Sequence, residues 1–262
     1  MSNKESTVRT LWVALAVSLV SSVFVAGAAV SLKPLQTQNR LLDKQRSIAA
    51  IAGLGGSELS AAQIRALFGE RIQARLVNLD TGSFATDFDP ESFDNLKAAK
   101  DPQLSMLLDR ADDVASIKRR ERFTTVYLTE NAEGKIETLI LPIRGYGLWS
   151  TLHGFLALSG DLNTVVGLGF YAHAETPGLG GEVDNPRWRA QWQGKQLFDP
   201  QGRIAVQLVK GAVDPQSVQA AYQVDALAGA TLTSNGVNNL LHFWLGEQGF
   251  GPLLASLRSR GA

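Results

Sequence analysis

The chain has 262 residues, a balanced charge and no cysteine, and these features exclude several classes of protein. Lys and Arg total 25 and Asp and Glu total 25, so the chain lacks the basic surplus that is typical of nucleic-acid binding. Without cysteine it can form no disulfide, thiolate nucleophile, iron–sulfur cluster or cysteine zinc site. The length suits one membrane segment followed by one globular domain of roughly 200 residues.

The first predicted element is a transmembrane helix over residues 10–32, a stretch without any charged residue. At ~1.5 Å per residue it would span roughly 34 Å, slightly more than the ~30 Å hydrocarbon core. Trp12 suits an interfacial position at one end, and Lys33-Pro34 is predicted to end the span. Residues 1–9 then form a short N-terminal segment, and residues 33–262 form the soluble domain.

A cleaved signal peptide is the alternative interpretation of this segment. Lys4 and Arg9 supply a charged start, and Ala26-Gly27-Ala28 is similar to a cleavage site, but the apolar run is long for a signal peptide. By the positive-inside rule, the basic residues on the C-terminal side of the run favour a cytoplasmic soluble domain. These basic residues are Lys33, Arg40, Lys44 and Arg46.

The next part of the chain mixes helical and irregular patterns. The spacing predicts a helix over residues 36–54 that continues outward and ends in a glycine-rich turn. A second helix is predicted after Ser60, which is placed to form a capping box with Gln63. A strand is predicted over residues 74–79, and the polar residues 83–120 predict loops and short helices.

The middle of the chain predicts an antiparallel meander. Two β-rich runs, 124–129 and 136–143, flank a loop that contains Gly134, and runs at 155–158 and 164–171 repeat the pattern. The later predicted elements are a helix over 186–195, a strand over 204–209, a short helix over 215–222 and a helix over 234–245. Helices and strands do not alternate strictly, so the predicted fold class is α+β with a largely antiparallel sheet.

The stretch at residues 225–237, with the sequence DALAGATLTSNGV, combines small residues, hydroxyls and the start of an apolar helical pattern. The small residues at 228–230 leave the backbone thinly covered, so a bulky group can approach Thr231 closely. One of the polar residues at 233–235 is predicted to cap the helix, which places Thr231 just ahead of its N-terminus. Free amides and the helix dipole favour an anion there, so Thr231 is suited to carrying a phosphate.

The string DALAGAT at 225–231 resembles the flavinylation motif of FMN-binding domains, in which the FMN phosphate is esterified to the motif's threonine. Three other segments look like those of the C subunits of sodium-translocating NADH:quinone oxidoreductases. They are GLWS at 147–150, HAETPGLGG at 173–181 and FWLGEQGFGP at 243–252. The resemblance covers almost the whole chain. The family usually has Ser or Thr where this chain has Ala228, so one hydroxyl beside the acceptor is missing.

The resemblance implies a membrane-anchored electron-transfer subunit with one covalent FMN on Thr231. Such a subunit relays electrons from NADH towards ubiquinone in a complex that exports sodium. The resemblance also implies that the soluble domain lies on the periplasmic side of the bacterial inner membrane, opposite to the charge rule. The implied partners are the other membrane subunits, membrane lipid and a separate flavin transferase that takes FMN from FAD. Thr233, equally near the helix start, is the competing acceptor.

Beside this motif, two open-backbone loops are predicted to contact the flavin. In the ETPGLGG loop, Thr176 and the loop amides are predicted to bond the polar edge of the ring, with Leu179 on its face. Leu148 and Trp149 are predicted to stack on the ring, with core packing as the alternative. Lys210 is predicted to meet the phosphate or the electron-rich edge of the flavin, with a solvated lysine as the alternative. The complete set of predicted cofactor-binding residues is Leu148, Trp149, Glu175, Thr176, Gly178, Leu179, Gly180, Lys210, Gly229, Ala230, Thr231 and Thr233.

Two other functions stay open at this point. One is the flavin-bearing subunit of the related ferredoxin-dependent ion-pumping complex, and the other is a membrane-anchored binding or assembly protein without redox activity. His153, His173 and His242 lie in separate elements without an i, i+4 pair, so no metal site is predicted. The chain has no Walker or Rossmann fingerprint and no nucleophile elbow, so it is not predicted to bind NADH itself or to supply a catalytic residue.

Overall fold

A computed structural model of the chain describes residues 6–56 and 58–260 and separates into two compact units, residues 1–44 and 45–262. The helices of the described chain are α1 Thr7–Ile51, α2 Ala61–Glu70, α3 Asn95–Ala98, α4 Pro186–Ala190, α5 Thr231–Leu245 and α6 Gly251–Arg260. The strands are β1 Gln73–Asn78, β2 Ser83–Ala85, β3 Ser105–Leu107, β4 Arg119–Glu121, β5 Phe123–Glu130, β6 Ile136–Tyr146, β7 Thr151–Ser159, β8 Val165–Ala172, β9 Gln207–Val209 and β10 Gln223–Asp225. Two 3-10 helices cover Gly180–Asp184 and Val218–Tyr222.

The first unit consists of the N-terminal part of α1, which is long and apolar enough to cross a membrane. Helix α1 runs through Pro34 without interruption, so Lys33-Pro34 does not separate the helix predicted over 36–54 from the apolar stretch. The membrane span over residues 10–32 stays a prediction. A proline inside a helix lacks an N–H and its ring crowds the carbonyl four residues earlier, which can kink a long helix without ending it. The helix ends at Ile51, and Gly53 follows in the left-handed region with φ 71°, which suits glycine at a helix C-terminus.

The second unit is built on a six-stranded sheet with the order β2-β1-β5-β6-β7-β8. Every neighbouring pair in this sheet is antiparallel, which confirms the predicted α+β class with a largely antiparallel sheet. The pairing of β6 with β7 is the longest, running from Thr138 opposite Ser159 to Tyr146 opposite Thr151. It therefore places the end of β6, the 147–150 turn and the start of β7 at one end of the sheet.

Both faces of the sheet carry apolar side chains, since alternate residues of a strand point to opposite faces. In β6, Leu139 and Leu141 join the large core beneath α5 and α6, whereas Ile140 joins a smaller cluster on the other face. That smaller cluster contains Ile48 and Ile51 from the last turns of α1. The central strands are therefore covered on both sides, which explains their nearly continuous apolar sequence.

Several short elements differ from their predicted bounds. Residues 83–120 were predicted as loops and short helices, but they also contain β2, β3 and β4. These strands have three residues each and β4 is charged, so no alternating apolar pattern reveals them. The helix predicted to reach 195 ends at Ala190, the strand predicted from 204 begins at Gln207, and the helix predicted over 215–222 is a 3-10 helix.

Candidate functional site

Helix α5 begins at Thr231, so Thr231 is its first residue and does not precede it as predicted. The N-cap is Ala230, and none of the polar residues at 233–235 takes that role. The Ser234 hydroxyl instead donates to the Ala230 carbonyl at 3.0 Å and accepts from the Leu227 amide at 3.0 Å. Ser234 therefore stabilises the turn that leads into the helix and leaves the helix N-terminus without a side-chain cap among the described residues.

The two hydroxyls that competed in the sequence have opposite environments. Thr231 is exposed, as is its neighbour Leu232. Thr233 is fully buried, and its hydroxyl donates to Glu175 Oε2 at 2.8 Å. Only the Thr231 hydroxyl is therefore open to a reagent from solvent.

The surroundings of Thr231 suit an esterified phosphate. The first amides of a helix lack acceptors within the helix, and those of α5 receive no side-chain cap from the described residues. Together with the helix dipole they favour a negative group beside Thr231. Gly229 adopts φ 72°, and a Cβ built there would lie 3.1 Å from Leu179 Cδ2. The motif and the ETPGLGG loop are thus in close contact.

Glu175 connects the 147–150 turn, its own ETPGLGG loop and the start of α5. Its side chain is buried, and both carboxylate oxygens accept hydrogen bonds. Oε1 accepts from the amides of Trp149 at 3.0 Å and Ser150 at 3.1 Å, and the Leu148 amide lies 3.1 Å from Oε2. With the Thr233 hydroxyl, this one carboxylate joins the 147–150 turn to the start of α5.

The hydrogen bonds of Glu175 keep its carboxylate ionised. Burial by itself raises the pKa of a carboxyl group, because it penalises the charged form. In Glu175 the hydrogen bond from Thr233 and those from the amides of Trp149, Leu148 and Ser150 oppose burial and lower the pKa below the ordinary value of 4.5. The centre of the site therefore carries a negative charge at neutral pH.

Three glycines allow the segments to approach this closely. A Cβ built at Gly147 would lie 2.7 Å from Glu175 Oε1, and one at Gly180 would lie 2.5 Å from Thr233 Oγ1. At Gly236 in α5, a Cβ would lie 2.5 Å from the Tyr146 carbonyl oxygen. Any larger residue at these positions would push the 147–150 turn, the ETPGLGG loop and α5 apart.

Exposed apolar side chains belong to the same three segments. Trp149 is 65% exposed, Leu179 44% and Leu232 58%, and Tyr146 is half exposed at the end of β6. Exposed apolar groups of this size on several neighbouring loops are typical of a ligand or partner surface. Gly178 has open space where a side chain would stand. These features fit a large, flat, mostly apolar ring beside a phosphate.

The ETPGLGG loop uses part of its backbone internally. The amides of Leu179 and Gly181 donate to the Thr176 carbonyl at 3.1 Å and 2.9 Å, so these two loop amides do not face a ligand. The Thr176 side chain is exposed. Lys210 is also exposed and follows β9, where the Val209 carbonyl accepts from the Ala226 amide at 2.9 Å. This hydrogen bond brings the residue before Lys210 to the start of the threonine motif. The contact of Lys210 with the phosphate stays a prediction.

Sequence reasoning missed Ser150 and left His173 without a role. The Ser150 hydroxyl accepts from the Ala174 amide at 2.7 Å and lies 3.4 Å from Glu175 Oε1. His173 Nδ1 accepts from the Glu175 amide, and its Nε2 lies 2.8 Å from Asp184. Ser150 stands three residues after Gly147, but no local pattern indicates its role, because its partner Ala174 is distant in sequence.

Residues 147–246 match the family described as FMN-binding domain, and these bounds enclose the 147–150 turn, the ETPGLGG loop and the threonine motif. The fold and the site therefore define an FMN-binding protein.

Relatives define the family more narrowly. The chain is 68% identical to the C subunit of the Na(+)-translocating NADH-quinone reductase of Pseudomonas aeruginosa, over 98% of both chains. It is 49% identical to the protein of the same name from Yersinia pestis, over 98% of this chain and 95% of that one. The chain belongs to this family of C subunits, and thus to the components of an oxidoreductase complex.

A solved structure agrees in fold. The crystal structure of Shewanella oneidensis NqrC matches with a TM-score of 0.75 and 36% identity, covering 82% of this chain and 96% of that chain. The predicted family and the predicted electron-transfer function within this complex are confirmed at this level. The relatives named above carry the name of the NADH-linked complex and not that of the ferredoxin-linked alternative.

Proposed function

We propose that the chain carries one FMN, joined through its phosphate to the Thr231 hydroxyl. The observation that supports this most directly is the contrast between the two hydroxyls at the start of α5. Thr231 is exposed in an uncapped first turn, whereas Thr233 is buried and donates its proton to Glu175. An acceptor must be reachable by the enzyme that modifies it, and only Thr231 meets that condition.

Attachment of the flavin is a phosphoryl transfer to the chain. The Thr231 oxygen forms a bond to the FMN phosphorus of FAD, the anhydride bond of FAD breaks, AMP leaves, and the hydroxyl proton is released. A separate flavin transferase provides the catalysis. The small residues Ala228 and Gly229 leave the approach to Thr231 open, and the absence of a hydroxyl at 228 does not change the acceptor itself.

After attachment, the chain's own residues position the group. The first amides of α5 stabilise the phosphate, and Lys210 adds a positive charge from the end of β9. Trp149, Leu179 and Leu232 supply apolar surface for the ring, and Thr176 supplies a hydroxyl for its polar edge. The isoalloxazine ring supplies the redox chemistry, and the protein supplies position and electrostatics. A covalent tether prevents loss of the carrier between electron transfers.

In the complex, this protein relays electrons between neighbouring cofactors on the path from NADH to ubiquinone that drives sodium export. Its partners are the other membrane subunits and the lipid around α1. The soluble domain lies on the periplasmic side of the inner membrane. The resemblance to the family supports this orientation although more basic residues follow the apolar run than precede it, since large domains translocate largely regardless of loop charge.

Intact-mass measurement of the full chain from its native host tests the proposal. Wild type is expected to gain the mass of one FMN less one water and to fluoresce as a flavin after denaturing electrophoresis. Thr231→Val is expected to lose both signals, whereas Thr233→Val, the matched control, keeps an adduct on Thr231 in lower yield, because it loses the hydrogen bond to Glu175. A fluorescent Thr231→Val chain would refute the site. The same spectrum identifies the N-terminus, and a chain that begins near Ala29 would indicate a cleaved signal peptide.

A further inference from the structure

Glu175 was predicted from the sequence to touch the flavin, but its contacts indicate a different role. We propose, resting on the function above, that Glu175 is a positioning residue. Its buried carboxylate holds the 147–150 turn and the first turn of α5 in the arrangement that accepts the flavin. The proposal assigns to Glu175 no contact with the cofactor.

The hydrogen bonds account for both oxygens of the carboxylate. The amides of Trp149 and Ser150 lie 3.0 Å and 3.1 Å from Oε1, and the Leu148 amide lies between the two oxygens at 3.2 Å and 3.1 Å. The Thr233 hydroxyl reaches Oε2 at 2.8 Å. Every one of these partners is a donor, so the site requires a group that only accepts.

The three amides are consecutive and converge on one point. Successive backbone N–H groups that converge in this way form a concave nest with a preference for anions. In this protein the anion is a side chain of the chain itself, 25 to 27 residues away in sequence. An uncharged glutamine of the same size would place its NH₂ group against at least one amide donor, so the charge matters as well as the shape.

Glu175 is enclosed by the segments that it joins. It is 4% exposed, and the backbones of Gly147 and Gly180 approach its carboxylate so closely that a Cβ on either would lie within 3.0 Å of it. Trp149, whose amide donates to Glu175, and Leu179, four residues after Glu175, both have exposed side chains. Glu175 therefore acts on the flavin through these neighbours.

The test compares full-length wild type with Glu175→Ala, using amide hydrogen exchange of the 147–150 turn in flavin-free protein and the flavin content after co-expression with a flavin transferase. Loss of a charged acceptor is expected to speed exchange of this turn by about 10- to 100-fold, and flavin content is expected to fall. Acetate, which replaces the missing carboxylate, is expected to restore slow exchange. Acetamide, of nearly the same shape but without charge, is not. Glu133→Ala, in an exposed loop, serves as the control and should match wild type.

Equal restoration by acetate and acetamide would overturn the proposal, because it would indicate that Glu175 only fills space. Exchange and flavin content equal to wild type in Glu175→Ala would overturn it as well. If Glu175→Ala fails to fold, Glu175→Gln replaces it, and a Glu175→Gln chain identical to wild type in both measurements counts against the carboxylate. The exchange experiment uses flavin-free protein, so its result does not depend on the proposed function. A wild-type chain that lacks FMN would refute the proposed function but not the hydrogen-bonding role of Glu175.

Discussion

Two threonines separated by one residue occupy different chemical environments because a helix turns about 100° per residue. Residues 231 and 233 therefore differ by about 200° around α5, and one faces solvent while the other faces the core. The sequence places both threonines near the start of the helix, but it does not show which of them is exposed and which is buried. The choice depends on Glu175, whose hydrogen bond to Thr233 joins residues 58 positions apart. Such a partner has no local sequence signal.

Glu175 should also make the stability of the domain depend on pH. Its pKa in the folded state is lower than its ordinary value of 4.5, because the hydrogen bonds from Thr233 and the three amides outweigh the effect of burial. A group with a lowered folded pKa contributes stability that is fully present above the ordinary value and is lost as the pH falls through the folded pKa. We expect the stability difference between wild type and Glu175→Gln to narrow as the pH falls below 4.5.

Denaturant unfolding of both proteins at pH 7 and at several values below 4.5 measures this difference. Asp161 is a second source of stability that is lost at low pH. Hydrogen bonds from Thr164 and Asn163 outweigh the effect of burial and lower its pKa, so its contribution to folding disappears as it becomes protonated. Curves for wild type and Glu175→Gln that stay parallel over the whole range would mean that Glu175 has the same pKa in the folded and unfolded chain.

At the scale of elements, periodicity predicted most of the second unit. The capping box of Ser60 and Gln63 is present in α2, and the meander of β5 to β8 lies where alternating runs indicated it. The elements that were predicted wrongly are those whose formation depends on long-range contacts. Strand β10, which was not predicted, has three residues and pairs with β9 across 16 positions, from Gln207 to Gln223, so its own sequence carries too little pattern to identify it.

The packing of α5 against the end of β6 leads to a prediction about Gly236. In an isolated helix, Gly→Ala stabilises by about 1 kcal/mol. At Gly236 the new Cβ would lie 2.5 Å from the Tyr146 carbonyl oxygen and 2.9 Å from Gly147 Cα, both backbone atoms that cannot rotate away. We therefore expect Gly236→Ala to destabilise the domain by roughly 1–3 kcal/mol, the usual cost of overpacking, and to lower flavin content.

Gly69→Ala is the matched control, because Gly69 lies in α2 and its added Cβ would meet no atom within 4 Å. The control is expected to be neutral or slightly stabilising in thermal unfolding. A Gly236→Ala protein that melts at or above the wild-type temperature would show that the 147–150 turn can move away from α5 at little cost.

At the scale of the whole molecule, the last turns of α1 belong to the second unit and not to the apolar anchor. Ile48 is fully buried and packs in the cluster with Ile140 and Phe155 on the face of the sheet opposite α5. The sequence predicted this helix as a continuation outward from the membrane and gave no sign that its end completes a core. The reason is that the partners of Ile48 come from β6 and β7, in which Ile140 and Phe155 lie roughly 90 and 110 residues later in the chain.

A chain of residues 45–262 is therefore expected to fold and to leave the membrane fraction, whereas the full chain stays with membranes after alkaline extraction. Within 45–262, Ile48→Ala should lower the free energy of unfolding by about 2–5 kcal/mol, since it opens a cavity between the helix and the sheet. Val218→Ala, at a position that is 87% exposed, should change it by less than about 0.5 kcal/mol. Denaturant unfolding measures the free energy of unfolding of the 45–262 chain and of its Ile48→Ala and Val218→Ala variants. If Ile48→Ala proved as stable as Val218→Ala, the end of α1 would contribute little to the core, and the boundary between anchor and domain would lie closer to α2.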